Sequence, residues 1–93
     1  MKLDILSHEF QIIFDNGGVW NSDGMGRASL KSQTIHIDDT MTDDGKKSTL
    51  IHEILHILSD LNHLGLTEEQ VSSLSVGLYS VMKSNNFNFE LPD

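Results

Sequence analysis

The spacing of apolar residues changes midway along this 93-residue chain. Before about residue 40, short apolar segments that partly alternate are separated by turn residues, which is typical of strands. From Leu50 onward, apolar residues recur at intervals of three and four, as they do on one face of a helix. The sequence therefore predicts an α+β fold, in which a small antiparallel sheet of three or four strands is followed by two helices.

The first half supplies the predicted strands. One strand is expected at about residues 9–14, and a hairpin at residues 27–30 and 34–38, while residues 1–6 are the candidate for a fourth strand. Turn residues follow the first long strand at 15–18, and residues 21–26 are rich in Gly, Ser, Asn and Asp, which predicts a loop.

The second half supplies two helices. Thr42 precedes two aspartates and predicts the start of a helix over about residues 43–62. Gly65 separates this helix from a second one, which begins at the capping-box pattern of residues 67–70. Residues 85–93 are expected to form a partly ordered tail. The apolar residues of the second helix that we expect to face inward are Val71, Leu74, Leu78, Val81 and Met82.

Composition restricts the class of protein. The length fits a single domain over residues 1–93, and the absence of cysteine leaves only nitrogen and oxygen as metal ligands. Fourteen acidic residues against six basic ones give a net charge of −8, which disfavours nucleic acid as a partner. No apolar run is long enough to cross a bilayer, so we expect a soluble, cytoplasmic protein without a membrane partner.

The motif His52-Glu53-Ile54-Leu55-His56 is the strongest indication of a chemical function in the sequence. Its two histidines are four residues apart and therefore lie on one face of the predicted helix, beside the apolar stripe. Shuffling the five His and five Glu of this chain would produce the pattern with a probability of roughly 0.014. The alternative is a pair of histidines with no metal on a solvated helix face.

Such a pair suits a tetrahedral zinc ion. Two imidazoles leave room for a third protein ligand and a water, whose pKa the metal lowers toward neutrality. Glu53 is then placed to take the proton of that water and to return it to the leaving amine. This arrangement predicts a zinc-dependent peptidase that hydrolyses a peptide bond in a protein or peptide substrate.

The sequence leaves more than one candidate for the residue that supplies the third zinc ligand. Glu68 is favoured, because it lies closer than Glu69 to the inner face of the second helix, although acidic residues at a helix start also stabilise the helix itself. Asp60 is a weaker candidate, one turn after the second histidine. His63 lies about 10 Å further along the axis if the helix continues, which is too far to share the ion with His56. The metzincin class of zinc peptidases is disfavoured, because Asn62 stands where its third histidine would be.

Two other polar residues are candidates for the site. His36, on a predicted strand, would line a cleft if a peptide bound to the edge of that strand. A histidine in such a strand is more often on the solvent-exposed face of the sheet. Tyr79 would stabilise a developing oxyanion if the second helix packs back along the first; a half-buried tyrosine with a satisfied hydroxyl is the alternative.

The segment at residues 34–38, a short acidic connection and residues 48–56 together resemble the small phage and prophage metallopeptidases related to the ImmA/IrrE group. Residues 68–82, with Asn85 and Asn86 after them, resemble their second helix, so that the resemblance covers about residues 24–89. It implies a minimal gluzincin-like (zincin-like) fold, zinc at His52 and His56, Glu53 as general base, an acidic third ligand and a free-standing catalytic unit.

In a second hypothesis, the chain binds the metal but catalyses no reaction. In it, the chain is a non-catalytic module that binds a protein partner, and the zinc site is structural or vestigial. A closed fourth coordination position favours this module, and an open one favours the enzyme.

Overall fold

Four strands precede two helices in the part of the chain that the computed structural model describes, residues 1–15 and 26–91. This order confirms the predicted α+β class. The elements are β1 (Lys2–Ile5), β2 (His8–Asp15), β3 (Gly26–Ser29), β4 (Thr34–Asp38), α1 (Asp43–Leu61) and α2 (Glu68–Ser84). Residues 21–25 of the predicted loop and 16–18 of the predicted turn lie outside the described residues, while Gly26, the last residue of that loop, begins β3.

The sheet is mixed, with the strand order β1-β2-β4-β3. β1 and β3 are antiparallel to their neighbours, but β2 and β4 are parallel, with Ile12 opposite Ile35. The predicted antiparallel pairing therefore holds for β1 with β2 and for β3 with β4, and it is wrong for β2 with β4. Ile35 and Ile37 of β4 are completely buried, which favours a central position for this strand. Its hairpin partner β3 is consequently an edge strand of the described sheet, as β1 is at the other side.

The helices form two further layers on one face of the sheet. α1 packs against β1, β3 and β4, and α2 has its main contacts with α1. Leu50 and Ile57 of α1 join the core on the sheet, whereas Val71 of α2 is fully buried. Neither described helix is long and apolar enough to cross a membrane.

The expected inward face of α2 is only partly correct. Val71 is buried and Met82 is partly buried, but Leu74, Leu78 and Val81 are 50%, 46% and 53% exposed. Because α2 packs mainly on one neighbouring helix, only a narrow stripe of its surface is covered. The prediction for these three residues is therefore wrong.

Side-chain caps determine where both helices begin. The hydroxyl of Thr42 accepts a hydrogen bond from the Gly45 amide at 3.1 Å. The Thr67 hydroxyl accepts from the Gln70 amide at 3.1 Å, and the Gln70 side chain accepts from the Thr67 amide at 2.9 Å. The predicted capping box is thus confirmed, and it makes Glu68 the first residue of α2.

The connection between the helices is tied to α1. The Leu66 amide donates to the hydroxyl of Ser59, which is 4% exposed, at 2.9 Å. His63 and Gly65 have φ angles of 54° and 65°, in the left-handed region that reverses the chain direction. These contacts bring the start of α2 back beside the second half of α1.

The chain after α2 returns to the core. The Phe87 amide donates to the Met82 carbonyl at 2.8 Å, and Phe89 and Leu91 pack against the core cluster. The expected tail therefore contributes to packing up to residue 91, and residues 92–93 lie outside the described part of the chain.

Candidate metal centre

His52 and His56 lie side by side on α1. Their ring centroids are 4.9 Å apart, and their side chains are 22% and 32% exposed. Four residues advance a helix by slightly more than one turn, so both rings leave the same face. This face points toward α2 and not toward the sheet, which keeps the imidazoles outside the apolar core.

Glu68 reaches both histidines from the start of α2. Its Oε1 atom is 2.8 Å from Nε2 of His52, and its Oε2 atom is 2.6 Å from Nε2 of His56. The ligand atoms of the three residues all lie within 4.8 Å of one another, and among residues 1–15 and 26–91 they form the one such group of three or more. The capping box and the Leu66 contact hold the carboxylate there.

The alternative ligands are not part of this group. Asp60 is exposed and lines the same cleft, and Glu69 is exposed on the next position of α2. His63 lies beyond the end of α1, where its left-handed backbone turns the chain away from the helix axis. Of the acidic candidates considered from sequence, Glu68 is therefore the one that the fold brings to the histidines.

The donor set suits zinc. Two imidazole nitrogens and one carboxylate oxygen are the ligands of many zinc sites, and bonds of about 2.0–2.1 Å place tetrahedral ligands about 3.3 Å apart. The contacts from Glu68 to the two histidines, 2.8 and 2.6 Å, are shorter than this by about 0.5–0.7 Å, so an ion would require the exposed Glu68 side chain to move outward. Without an ion, the same contacts are hydrogen bonds to the carboxylate.

The pKa of the Glu68 carboxyl lies below its usual value. Its slight burial acts to raise its pKa, but the charges of His52 and His56 and their hydrogen bonds outweigh this effect and hold the pKa below its usual value. The side chain therefore stays an anion over a wide pH range, which a metal ligand requires.

Glu53 lies beside this group in a much less hydrated position. The residue is only 7% exposed, and burial raises the pKa of its carboxyl because the charged form loses hydration. The two histidine charges act in the opposite direction, and the Glu68 carboxylate adds a smaller increase. A carboxylate with a raised pKa is a stronger base, as proton abstraction from water needs.

An open cleft of about 680 Å³ gives access to these groups. β3 forms one wall, α1 carries Glu53 and both histidines into it, and α2 closes another side through Glu68 and Ser72. Ala28, Leu30, Ile57 and Val76 add apolar surface to the lining.

His36 and Tyr79 are not among the residues that line this cleft. The Nδ1 atom of His36 lies 3.0 Å from the Asp15 carboxylate, and the Tyr79 hydroxyl donates to Asp44. β4, which carries His36, is internal to the sheet, so a role in binding to a strand edge would belong to β3.

Sequence patterns did not identify three residues that shape the site. Ser75 and Ser72 of α2 contact His52 and Glu68, and Gly26 allows β3 to approach α1 closely. A serine in a stripe that otherwise faces another helix is a weak signal of a buried polar contact. Nothing in the sequence around Gly26 indicates this close approach, beyond its place at the end of a segment rich in turn residues.

Comparisons of the chain with protein-family models, curated proteins and solved structures found no match in any of the three. The resemblance to the ImmA/IrrE group therefore stays a prediction that rests on residues 34–38, 48–56, 68–82 and 85–86.

Proposed function

We propose that this chain is a zinc-dependent peptidase of the cytoplasm that hydrolyses a peptide bond in a protein partner. The observation that carries the proposal is the convergence of His52, His56 and Glu68 beside the buried Glu53 in an open cleft. Nitrogen and carboxylate ligands next to a separate carboxylate base are the parts that metal-assisted hydrolysis requires. If the chain is phage-encoded, its place of action is the cytoplasm of the host.

The residues divide the chemistry between them. His52 and His56 would hold zinc through Nε2, and Glu68 would hold it through its carboxylate; the bound ion supplies an activated water and polarises the substrate carbonyl. Glu53 accepts the proton that the water loses as its oxygen bonds to the carbonyl carbon. The same carboxyl then donates this proton to the amide nitrogen as the C–N bond breaks.

β3 supports a protein or peptide as the substrate. It is one of the two edge strands of the described sheet and forms a wall of the cleft, beside the helix that carries Glu53. An extended segment can align with the edge of a strand through main-chain hydrogen bonds, which places successive peptide bonds along the cleft.

Replacement of Glu53 by glutamine tests the reaction. We expect Glu53→Gln to bind one zinc ion per chain as the wild type does, because the three ligands remain, and to lose at least about a hundredfold in turnover, because the amide cannot accept the proton. Cleavage of a denatured protein mixture is followed by mass spectrometry in ¹⁸O-labelled water, which marks each new carboxyl terminus.

The matched control is Glu69→Gln, which removes the same charge from an exposed position next to Glu68. This variant should cleave at the wild-type rate. Undiminished cleavage by Glu53→Gln contradicts the mechanism, and a zinc-loaded wild type that cleaves no peptide contradicts the peptidase proposal itself.

One observation favours the non-catalytic interaction module as a second candidate. α2 carries no charged residue between positions 70 and 82, and Leu74, Leu78 and Val81 expose apolar surface there. Exposed apolar residues that share a helix face are typical of binding surfaces. If zinc is only structural, its removal by a chelator should unfold the chain, whereas a replaceable catalytic ion should leave it folded with a lower melting temperature.

A further inference from the structure

Ser75 is a polar residue enclosed between the two helices. It is 2% exposed, and its hydroxyl donates to the carbonyl oxygen of Ser72 at 3.0 Å. The same oxygen lies 3.5 Å from Nδ1 of His52. Because the one hydroxyl hydrogen is used by the Ser72 carbonyl, Ser75 can only accept a hydrogen bond from the imidazole.

This direction of donation determines which nitrogen of His52 is available. A neutral imidazole carries a single N–H, so an imidazole that donates from Nδ1 has its lone pair on Nε2. Nε2 is the atom that lies 2.8 Å from the Glu68 carboxylate, within the three-residue group. Without an ion, an Nε2–H donates to that carboxylate; when a metal takes the place of this hydrogen, the Nδ1–H bond to Ser75 stays and keeps Nε2 directed toward the metal.

Ser72 acts on the second element of the group. Its hydroxyl donates to Oε1 of Glu68 at 3.4 Å, from four residues further along the same helix. Oε1 is the carboxylate oxygen that also faces His52. One turn of α2 thus contacts both the imidazole from α1 and the carboxylate from its own first position.

We propose that Ser72 and Ser75 are positioning residues of the metal centre, a role that rests on the proposed metal site. Ser75 holds His52 with Nε2 toward the ion, and Ser72 restricts rotation of the exposed Glu68 carboxylate. Hydrogen-bonded partners behind metal ligands commonly change affinity by 10–100-fold when they are removed. Ser75 has the larger effect, because it is buried and acts on a ring with two tautomers.

A merely structural role makes a different prediction. A serine that bonds to the carbonyl three residues earlier also occurs in helices with no site nearby. In that case, replacement by alanine would alter the stability of the metal-free chain and leave its intrinsic preference for zinc unchanged. Metal affinity and metal-free stability must therefore be measured separately.

Zinc affinity is measured by competition with a chromophoric chelator for the wild type, Ser75→Ala, Ser72→Ala and Ser73→Ala. We expect a loss of about 10–100-fold for Ser75→Ala, a smaller loss for Ser72→Ala, and none for Ser73→Ala, whose exposed hydroxyl lies on the same helix. Ser75→Thr keeps the hydroxyl and should restore the affinity. Melting temperatures of the metal-free variants are recorded in parallel.

A spectroscopic readout on the zinc-loaded chain isolates the Ser75 contact. The Nδ1–H proton of His52 should exchange slowly with water in the wild type and faster in Ser75→Ala, while the corresponding proton of His56 serves as an internal reference. Unchanged affinity and exchange in Ser75→Ala overturn the positioning role alone. Affinities that follow the metal-free melting temperature and not the hydroxyl also overturn it, and a wild type that binds no zinc overturns the metal site as well.

Discussion

Glu53 owes its burial to a residue that has no side chain. A Cβ atom at Gly26 would lie 2.5 Å from Cγ2 of Thr49, 3.1 Å from the His36 carbonyl oxygen and 3.5 Å from Cγ of Glu53. The first two distances are too short for ordinary contacts, so β3 approaches α1 as closely as it does only because residue 26 is glycine. This approach covers Glu53 and brings the wall of the cleft beside it.

Gly26→Ala should therefore destabilise the chain. We expect the free energy of unfolding in urea to fall by about 1–3 kcal/mol, the usual cost of an added group in a packed site. Part of the strain is against a backbone oxygen of β4, which cannot rotate away as a side chain can.

Gly77→Ala is the matched control for this substitution. Nothing lies within 4 Å of the corresponding Cβ position, and residue 77 is inside α2. Alanine is favoured over glycine in a helix interior by about 1 kcal/mol, so this variant should be more stable than the wild type. Equal effects of the two substitutions would contradict the close approach at Gly26.

At the residue scale, the local part of the site could be predicted from sequence. His52, Glu53 and His56 depend only on helical spacing, and Glu68 follows from the capping box and the angle of its side chain. Ser75 could not be identified, because its contact with His52 depends on how two helices pack. The periodic pattern of each helix does not show which of its residues will contact the other helix.

Both ends of α2 are tied to α1. Glu68 faces the two histidines at the start, and Tyr79 and Lys83 contact the Asp44 carboxylate near the other end, the lysine at 2.7 Å. Lys83 and then Tyr79 hold the pKa of Asp44 below its usual value. In return, the hydrogen bond to Asp44 raises the pKa of Tyr79 to about 12.

The raised pKa of Tyr79 gives a direct test of this helix contact. The neutral phenol donates to Asp44, so the bond is fully present below the ordinary pKa of about 10. It is lost as the pH rises toward 12, when the hydroxyl ionises beside a carboxylate. Because the chain has one tyrosine, its tyrosinate absorbance can be followed without overlap from a second residue.

Asp44→Asn provides the comparison for this titration. The amide removes the charged acceptor, so the midpoint for Tyr79 should fall toward 10. Coincident titration curves for the wild type and the variant would show that the contact between Tyr79 and Asp44 is absent in solution.

At the element scale, the order and approximate bounds of strands and helices were predictable, and strand pairing was not. Alternation shows that β2 and β4 each have a buried face, but it does not state which strands are neighbours. The inward face assigned to Leu74, Leu78 and Val81 failed for a related reason. An amphipathic pattern does not show whether a helix has one neighbour or several.

The described part of the molecule has three layers in the order sheet, α1, α2, and the candidate metal centre joins the two helical layers. The sheet covers one side of α1, while α2 lies on the side that carries His52 and His56. Two of the candidate ligands come from α1 and the third comes from α2, so a bound ion would crosslink two elements that also meet around Val71 and at Asp44. Metal binding and the attachment of α2 are therefore expected to support each other.

We expect His52, His56 and Glu68 to form one zinc site in the cleft. The most direct measurement is X-ray diffraction from crystals grown with one equivalent of zinc, recorded on both sides of the zinc absorption edge. We expect a single anomalous peak per chain, within bonding distance of Nε2 of His52, Nε2 of His56 and the Glu68 carboxylate. A peak at other residues only, or no peak at these three, would contradict the account.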